Sequence, residues 1–460
     1  MPNLSLEDSL AAALEGAVRR VTEKQFRGKA ETGTGGYYGA SPALQMYGAN
    51  QTMYNAMKLT LQGISTRIPW RGSNFASDKY PILLGVSAVT GAQPSDECAP
   101  GPVAGTVSVG KFSNPFGRWK MQTPSFDVTR FNEIRDRSTF ADYTLGGDPF
   151  AETPITVPTP ANSADLLRKE IAKIMFEFKV GWLRTYNPVL HYTGNPTNNV
   201  GNGYLEPKGL DLLINTGYVD VDTSAAMTGV DSLVRSFGNV DITNTGSVTV
   251  NSVTYTTGGG TAAVAEIVAM YRTLKMRAQK TGLAPVNLAI VMTRSLFYEL
   301  TQVWPCNYLT ARCNVAAGAL SLDAGQQIAL RDEMRGGEYL KIDGEQVAVI
   351  LDNDIAETVN AGVYTTGIYF IPLTILGGTP SLWGEYFDMA APGGAIEASN
   401  LLGNMGDMTV TGNGRFLWTR ERTGTCLTWT AIERPRLVLP TPHLAGRLTN
   451  MKFTPLIYEQ

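Results

Sequence analysis

Only two histidines occur in the 460 residues, His191 and His443. A Ser–His–Asp triad would have to use one of them. His191 sits in VLHYTG, just past a long periodic apolar segment, and His443 sits in a proline-flanked turn. Both read as structural. The four cysteines, Cys98, Cys306, Cys313 and Cys426, are too sparse for a disulfide scaffold and read as free thiols of a reducing compartment. Cys306 and Cys313 lie seven apart with no second pair or nearby histidine, which does not make a zinc site. Asp352-Asn353-Asp354 opens like a calcium loop. It lacks the glycine at position six and the glutamate at position twelve, so it reads as a turn after a strand. The sequence contains no G-x-S-x-G elbow, phosphate loop or H-E-x-x-H. A glycosidase-type carboxylate pair, about 5–10 Å apart in space, leaves no mark in sequence. No catalytic residue, cofactor site or metal site is assigned.

Composition narrows the classes further. Net charge is −3, and charged residues make up only 17% against 43% hydrophobic. So little charge suits a chain that covers much of its surface with neighbours. No Lys/Arg stripe marks a sequence-specific nucleic-acid binder. The 48 glycines and 25 prolines are dispersed, which favours many turns over disorder. The start, MPNLSLEDSL, is acidic where a signal peptide is basic. The longest apolar run, Ile368–Leu376, is too short for a bilayer. The expectation is a soluble protein made in the cytosol, for which the sequons at Asn3 and Asn50 are chance matches.

The organising element is Asn162–Tyr186. Leu167, Ile171, Ile174, Met175, Phe178 and Trp182 recur at three- and four-residue steps on one helical face. At ~1.5 Å per residue the rod would span roughly 36 Å, with Pro188 forbidding continuation. Before it, Leu10, Leu14, Val18 and Val21 predict a first helix, and Met53, Met57 and Leu61 a second. These either pack on their own core or form an arm to a neighbour; the arm is favoured because no strand partner is close in sequence. Thr106–Phe112 and Trp119–Val128 read as extended runs around SNPFGR, a long hairpin-like excursion. TPITVPTP is an extended linker into the rod.

After the rod, GLDLLINTG buries a short element, and SVTVNSVTY alternates as short strands. Ala262–Lys280 is a periodic helix with Gly282 as its C-terminal cap. NLAIVM is a buried strand, and Ser295–Gln302 a short helix. EYLKI and EQVAVI around Asp343-Gly344 make a tight hairpin. RFLWTRE and CLTWTAI pair around Thr423-Gly424, and GVYTTGIYFIP adds a strand. The order indicates an α+β fold.

This layout resembles the major capsid proteins of tailed bacteriophages, the Hong Kong ninety-seven-like fold. The resemblance covers nearly the whole chain as an order of parts. It is most specific in FGRWKMQT with RDRSTFADYTLGGDP, in GLDLLINTG, in APVNLAIVMTRSLFYEL, and in GVYTTGIYFIP with PHLAGRLTN. It implies an N-terminal arm (1–66), an extended loop, or E-loop, and its base (67–150), and a peripheral domain with the spine helix (151–215). An axial domain (216–365) and returning C-terminal strands (366–460) complete it. It implies hexamers and pentamers closing into an icosahedral shell around double-stranded DNA, without sequence-specific binding and without a membrane. The virion is then the site of the protein, and the host cytoplasm the place of assembly. No large N-terminal scaffold-like segment is seen, so a separate scaffolding protein is expected, with a portal and decoration proteins as further partners. Candidate intersubunit contacts are Arg118, Trp119 and Lys120 in the loop, and the knot Arg135, Asp136 and Arg137. The knot reads equally as a solvated turn or as a bidentate salt-bridge joint. Some relatives weld subunits through a Lys–Asn bond; Lys111 and Lys120 lie in the loop, but nothing marks a partner, and that chemistry is not carried over.

Two other readings stand beside this one. An encapsulin-like nanocompartment shell would share the fold and enclose cargo protein. A β-rich hydrolase with an unrecognised carboxylate pair would show a monomer with an acidic cleft.

Overall fold

The computed structural model describes residues 63–64, 67–73, 77–86, 105–123, 125–127, 182, 185, 187–193, 206–309, 324–360, 362–389, 408–411, 415–423 and 426–454. The two expected N-terminal helices, most of the rod from Asn162, and Arg135–Arg137 lie outside these residues.

In chain order the first strands are β1 (Trp70–Ser73), β2 (Lys79–Val86), β3 (Thr106–Ser113), β4 (Trp119–Gln122) and β5 (Phe126–Asp127). A π-helical turn at Pro188–Thr193 leads to α1 (Leu210–Leu213), β6 (Leu233–Ser236), β7 (Val248–Val250) and β8 (Val253–Tyr255). Then come α2 (Gly259–Lys280), β9 (Asn287–Met292), α3 (Arg294–Leu309) and α4 (Ala324–Gly337). Strands β10 (Tyr339–Ile342), β11 (Glu345–Leu351), β12 (Thr358–Asn360), β13 (Val363–Ile375), β14 (Thr379–Pro380) and β15 (Trp383–Phe387) follow. The chain closes with β16 (Met408–Thr411), β17 (Phe416–Thr423), β18 (Cys426–Glu433), β19 (Pro435–Val438) and β20 (Gly446–Phe453).

The largest sheet is mixed, in the order β10-β11-β9-β13-β20-β6, with β12 and β14 attached to β13. It is buried on both faces. Leu288, Ile290 and Met292 of β9 meet Ile267 and Leu274 of α2 and Phe297 of α3 in one core cluster. Ala289 and Val291 join Tyr192, Leu210 and Leu437 in another. A strand covered on both sides has no polar face to show, which is why NLAIVM reads as an unbroken apolar run. Helix α2 ends as the glycine spacing requires. Gly282 has φ +70°, its N–H donates to Gln279 O (3.2 Å), and Leu283 N donates to Ala278 O (2.9 Å).

The hairpins follow their turn residues. Ile342 pairs Glu345 across Asp343 and Gly344, whose φ values of 52° and 81° suit the twist of the strands. Val250 pairs Val253 across Asn251 and Ser252 in the same way (φ 48° and 66°). Thr423 pairs Cys426 as expected.

Two expectations are corrected. The strand at Thr106 does not fold against Trp119–Val128. It pairs with β2, Tyr80 opposite Phe112, while β4 joins β18, Lys120 opposite Ile432. The intervening SNPFGR is not a free turn: Asn114 is buried with its amide on Leu437 O (2.8 Å), and Gly117 N donates to Pro435 O (2.9 Å). Nor does Pro188 stop the helical path. Asn187 is helical and Pro188 opens the π-turn, a wider turn whose first position tolerates a missing N–H and a ring. Helix α4 was not foreseen in the sequence, and α3 runs beyond Gln302 through Pro305.

Two substitutions separate turn chemistry from core packing. Gly344→Ala has open space around its new Cβ but must hold positive φ, and should cost about 1–2 kcal/mol in urea unfolding. Phe370→Ala, in the fully buried sheet centre, should cost about 3–5 kcal/mol.

Candidate assembly interface

Among the described residues, the two-stranded ribbon β2–β3 pairs with no third strand. Such a ribbon is marginal alone in water, so what holds it is informative. Its sequence puts Tyr80 and Ile82 on one face, where they meet Tyr218, Met227, Val230 and Val438. Phe112 stacks edge-on to Tyr80 (5.9 Å between ring centres) and to Tyr218 (5.3 Å).

Both feet of the ribbon are held by Arg436 of β19, which is 5% exposed. Its Nη1 donates to Ser77 O (2.6 Å), before β2, and to Asn114 O (3.2 Å), after β3. Its Nε and Nη2 donate to Glu385 Oε2 at 2.9 and 2.6 Å, and its plane covers Phe116 at 4.1 Å. Glu385 also accepts from the Trp383 indole (2.8 Å) and from Arg71 (3.2 Å). Burial pushes the Glu385 carboxyl up, but the Trp383 and Arg436 hydrogen bonds outweigh it, and the net shift is downward.

The two edges of the ribbon are held differently. Along β2, Leu83 N donates to Pro440 O (2.8 Å) and Val86 N to Thr281 O (2.9 Å). Thr281 caps α2, so Val86 satisfies a carbonyl that the helix end leaves without a partner. A Cβ on Gly85 would overlap that Thr281 oxygen; only glycine lets the strand come this close. Along β3, Lys111 N donates to Asp220 Oδ1 (3.0 Å) and Lys111 O accepts from Val221 N (3.0 Å). Asp222 bridges Lys111 Nζ (2.8 Å) and Lys79. The Lys111 and Lys79 hydrogen bonds hold the Asp222 carboxyl down to about 2.

A third joint lies at the end of β11. Buried Asp352 accepts from Ile64 N (2.9 Å), Tyr192 OH (2.5 Å) and Asp354 N (3.0 Å). The turn expected at Asp352–Asp354 is present, and it ties the segment before β1 to the π-turn. Burial, and then the Asp352 charge, push the Asp354 carboxyl up to about 7. Both histidines are buried and held down to about 4, by burial first; His191 is also raised slightly by its contact with Asn187 O (3.1 Å).

Of the expected contact residues, Arg118 and Lys120 are exposed on and beside β4. Trp119 turns inward, edge-on to Trp182 at 6.5 Å. Arg135, Asp136 and Arg137 lie outside the described residues. Arg436, Glu385, Asp220 and Asp222 were not singled out in the sequence. D-V-D-T at 220–223 is a turn signal, but its lysine partners are 111 and 143 positions away.

No family model matches the chain, and no curated protein matches it. Among solved structures, the chain is similar to the capsid of cyanophage A-1(L), at 14% identity and TM-score 0.45, over 86% of this chain and 92% of that one. It is similar to the capsid of Myoviridae phage XM1 at 10% identity and TM-score 0.40, over 84% and 90%. It is also similar to the holo-SrpI encapsulin complex of Synechococcus elongatus at 9% identity and TM-score 0.38, over 84% and 86%.

The Asp354 joint sets a pH dependence. Its folded pKa is raised above the unfolded value, so its contribution is full below about 4 and is lost as pH rises through about 7. The two histidines act oppositely: their pKa values are lowered, and their contribution is lost as pH falls from about 6.5 towards about 4. Asp354→Asn removes only the first effect. Its melting temperature relative to wild type should therefore climb by on the order of a few degrees between pH 5 and 7. A difference that stays constant with pH contradicts the assignment.

Proposed function

We propose that the chain is the major capsid protein of a tailed double-stranded DNA bacteriophage. It assembles as hexamers and pentamers into an icosahedral shell that encloses the genome. The observation that carries this reading is the mounted ribbon. A two-stranded ribbon that pairs with no third strand among the described residues is gripped at its feet and along both edges by residues drawn from the middle and the end of the chain. A mount of this kind suits a hairpin that bears on another molecule, and a shell subunit needs large shape-matched contacts more than a pocket.

In this reading 1–66 is the arm, 67–150 the extended loop and its base, and 151–215 the peripheral domain. Residues 216–365 form the axial domain, and 366–460 return to both. Arg118 and Lys120 face a neighbouring subunit, and Trp119 braces their strand. The Arg135–Asp136–Arg137 knot contributes a joint to the same contact. The protein acts by geometry and not as an enzyme. A net charge of −3 suits a container, because a strongly basic wall would hold phosphates by counterion release and impede packaging. A separate scaffolding protein, a portal and decoration proteins are its partners. The virion is its location after assembly in the host cytoplasm.

Gel filtration and negative-stain microscopy of the purified chain, with and without co-expressed scaffold, test this. Closed shells, or rings of five and six subunits, are expected, with nucleic acid inside particles recovered from infected cells. Packed protein in place of nucleic acid would move the reading to a nanocompartment. A chain that stays monomeric with scaffold and crowding, and has a defined acidic cleft, would overturn it.

A further inference from the structure

The two edges of the ribbon differ in kind. The β2 edge is held by backbone hydrogen bonds to Pro440 and Thr281, with Gly85 packed against the end of α2. The β3 edge is held at its end by Lys208, whose Nζ donates to Ser113 O (2.8 Å), and in its middle by one small turn. That turn is preformed: Asp220 Oδ2 accepts from the Thr223 hydroxyl (2.7 Å), Asp220 Oδ1 accepts from Asp222 N (3.2 Å), and Ser224 N donates to Asp220 O (2.8 Å). The bridge between Val219 and Ala226 closes its base.

Among the described residues, the polar links of this turn to the ribbon are one backbone hydrogen bond, the Asp220 carboxylate, and the Asp222 carboxylate shared by two lysines; Tyr218 and Met227 at its base add the apolar contact already described. The Lys79, Lys111 and Asp222 side chains are 43%, 56% and 36% exposed. Contacts this open to water are weakened by salt. When the Asp222 bridges yield, the β3 edge loses two of its ties while the Pro440 and Thr281 hydrogen bonds of β2 remain, and the ribbon can tilt about β2. Lys79 sits on β2 and Lys111 on β3, so Asp222 grips both strands at once and moves them as a unit.

Building on the shell reading, we propose that Asp222 is a positioning residue: by holding Lys79 and Lys111 together it sets the tilt of the β2–β3 ribbon about its Pro440–Thr281 edge, and so the curvature at which subunits close. Asp222 lies outside every core cluster, so its substitution changes the tilt without opening the core.

The test compares wild type, Asp222→Asn and Lys111→Gln. Two quantities are read: amide hydrogen exchange in the unassembled subunit, and particle diameter after assembly. Asp222→Asn should speed exchange at Lys111 and Val221 several-fold, the scale of two exposed ion bridges, and leave β9 and β13 unchanged. Its particles should shift or broaden in diameter. Lys111→Gln should do the same more weakly, since Lys79 remains. About 0.5 M salt should move wild type towards Asp222→Asn and leave the variant unmoved. Wild-type diameters in both variants overturn the proposal, whatever the exchange shows. Wild-type chains that form no closed particle under any condition sink the shell reading instead; the exchange contrast at Lys111 and Val221 then supports or overturns the tilt assignment by itself.

Discussion

Arg436 carries a charge that the interior cannot leave unmatched. A buried guanidinium is tolerated only where a carboxylate and further acceptors meet it, and removing one partner typically costs about 3–5 kcal/mol. Here Glu385 supplies the charge, and the remaining donors go to two carbonyls at the feet of the ribbon, Ser77 and Asn114. Ser77 and Arg436 are separated by 359 positions in sequence. The N-terminal ribbon therefore has no fixed root until β15 and β19, near the other end of the chain, are paired.

From that root the mount extends to the large sheet. β19 leads through Pro440 to β20, which lies between β13 and β6. Pro440 takes Leu83, and Thr281, which caps α2, takes Val86. Helix α2 is pressed on the sheet by Ile267 and Leu274. The β2 edge of the ribbon is thus referenced to the most buried part of the molecule.

The parts that sequence reveals are those whose cause is local. Asp343-Gly344 can be read because positive φ at two successive positions demands such residues. Gly282 can be read because a helix end needs a left-handed residue. NLAIVM shows its two covered faces by having no polar ones. The strand at Thr106 was equally clear as a strand, but its partner was not. Pairing was decided by Asn114 and Gly117 binding Leu437 and Pro435, more than 300 residues further on, which turned SNPFGR from a hairpin loop into a buried strap. The same holds for the interface residues. Asp220 and Asp222 announce a turn, and Arg436 an ordinary basic residue in RPRLVLP. Only the fold brings them to one ribbon.

In the proposed shell, this ribbon is an instrument of contact between copies of the chain. The most direct measurement is a single-particle cryo-microscopy reconstruction of assembled particles. The expected result is rings of five and six subunits in which β2–β3, rooted at Arg436 and Asp222 of its own subunit, lies against the adjacent one. Particles in which β2–β3 touches only its own subunit, or a chain that yields no symmetric assembly, would contradict it.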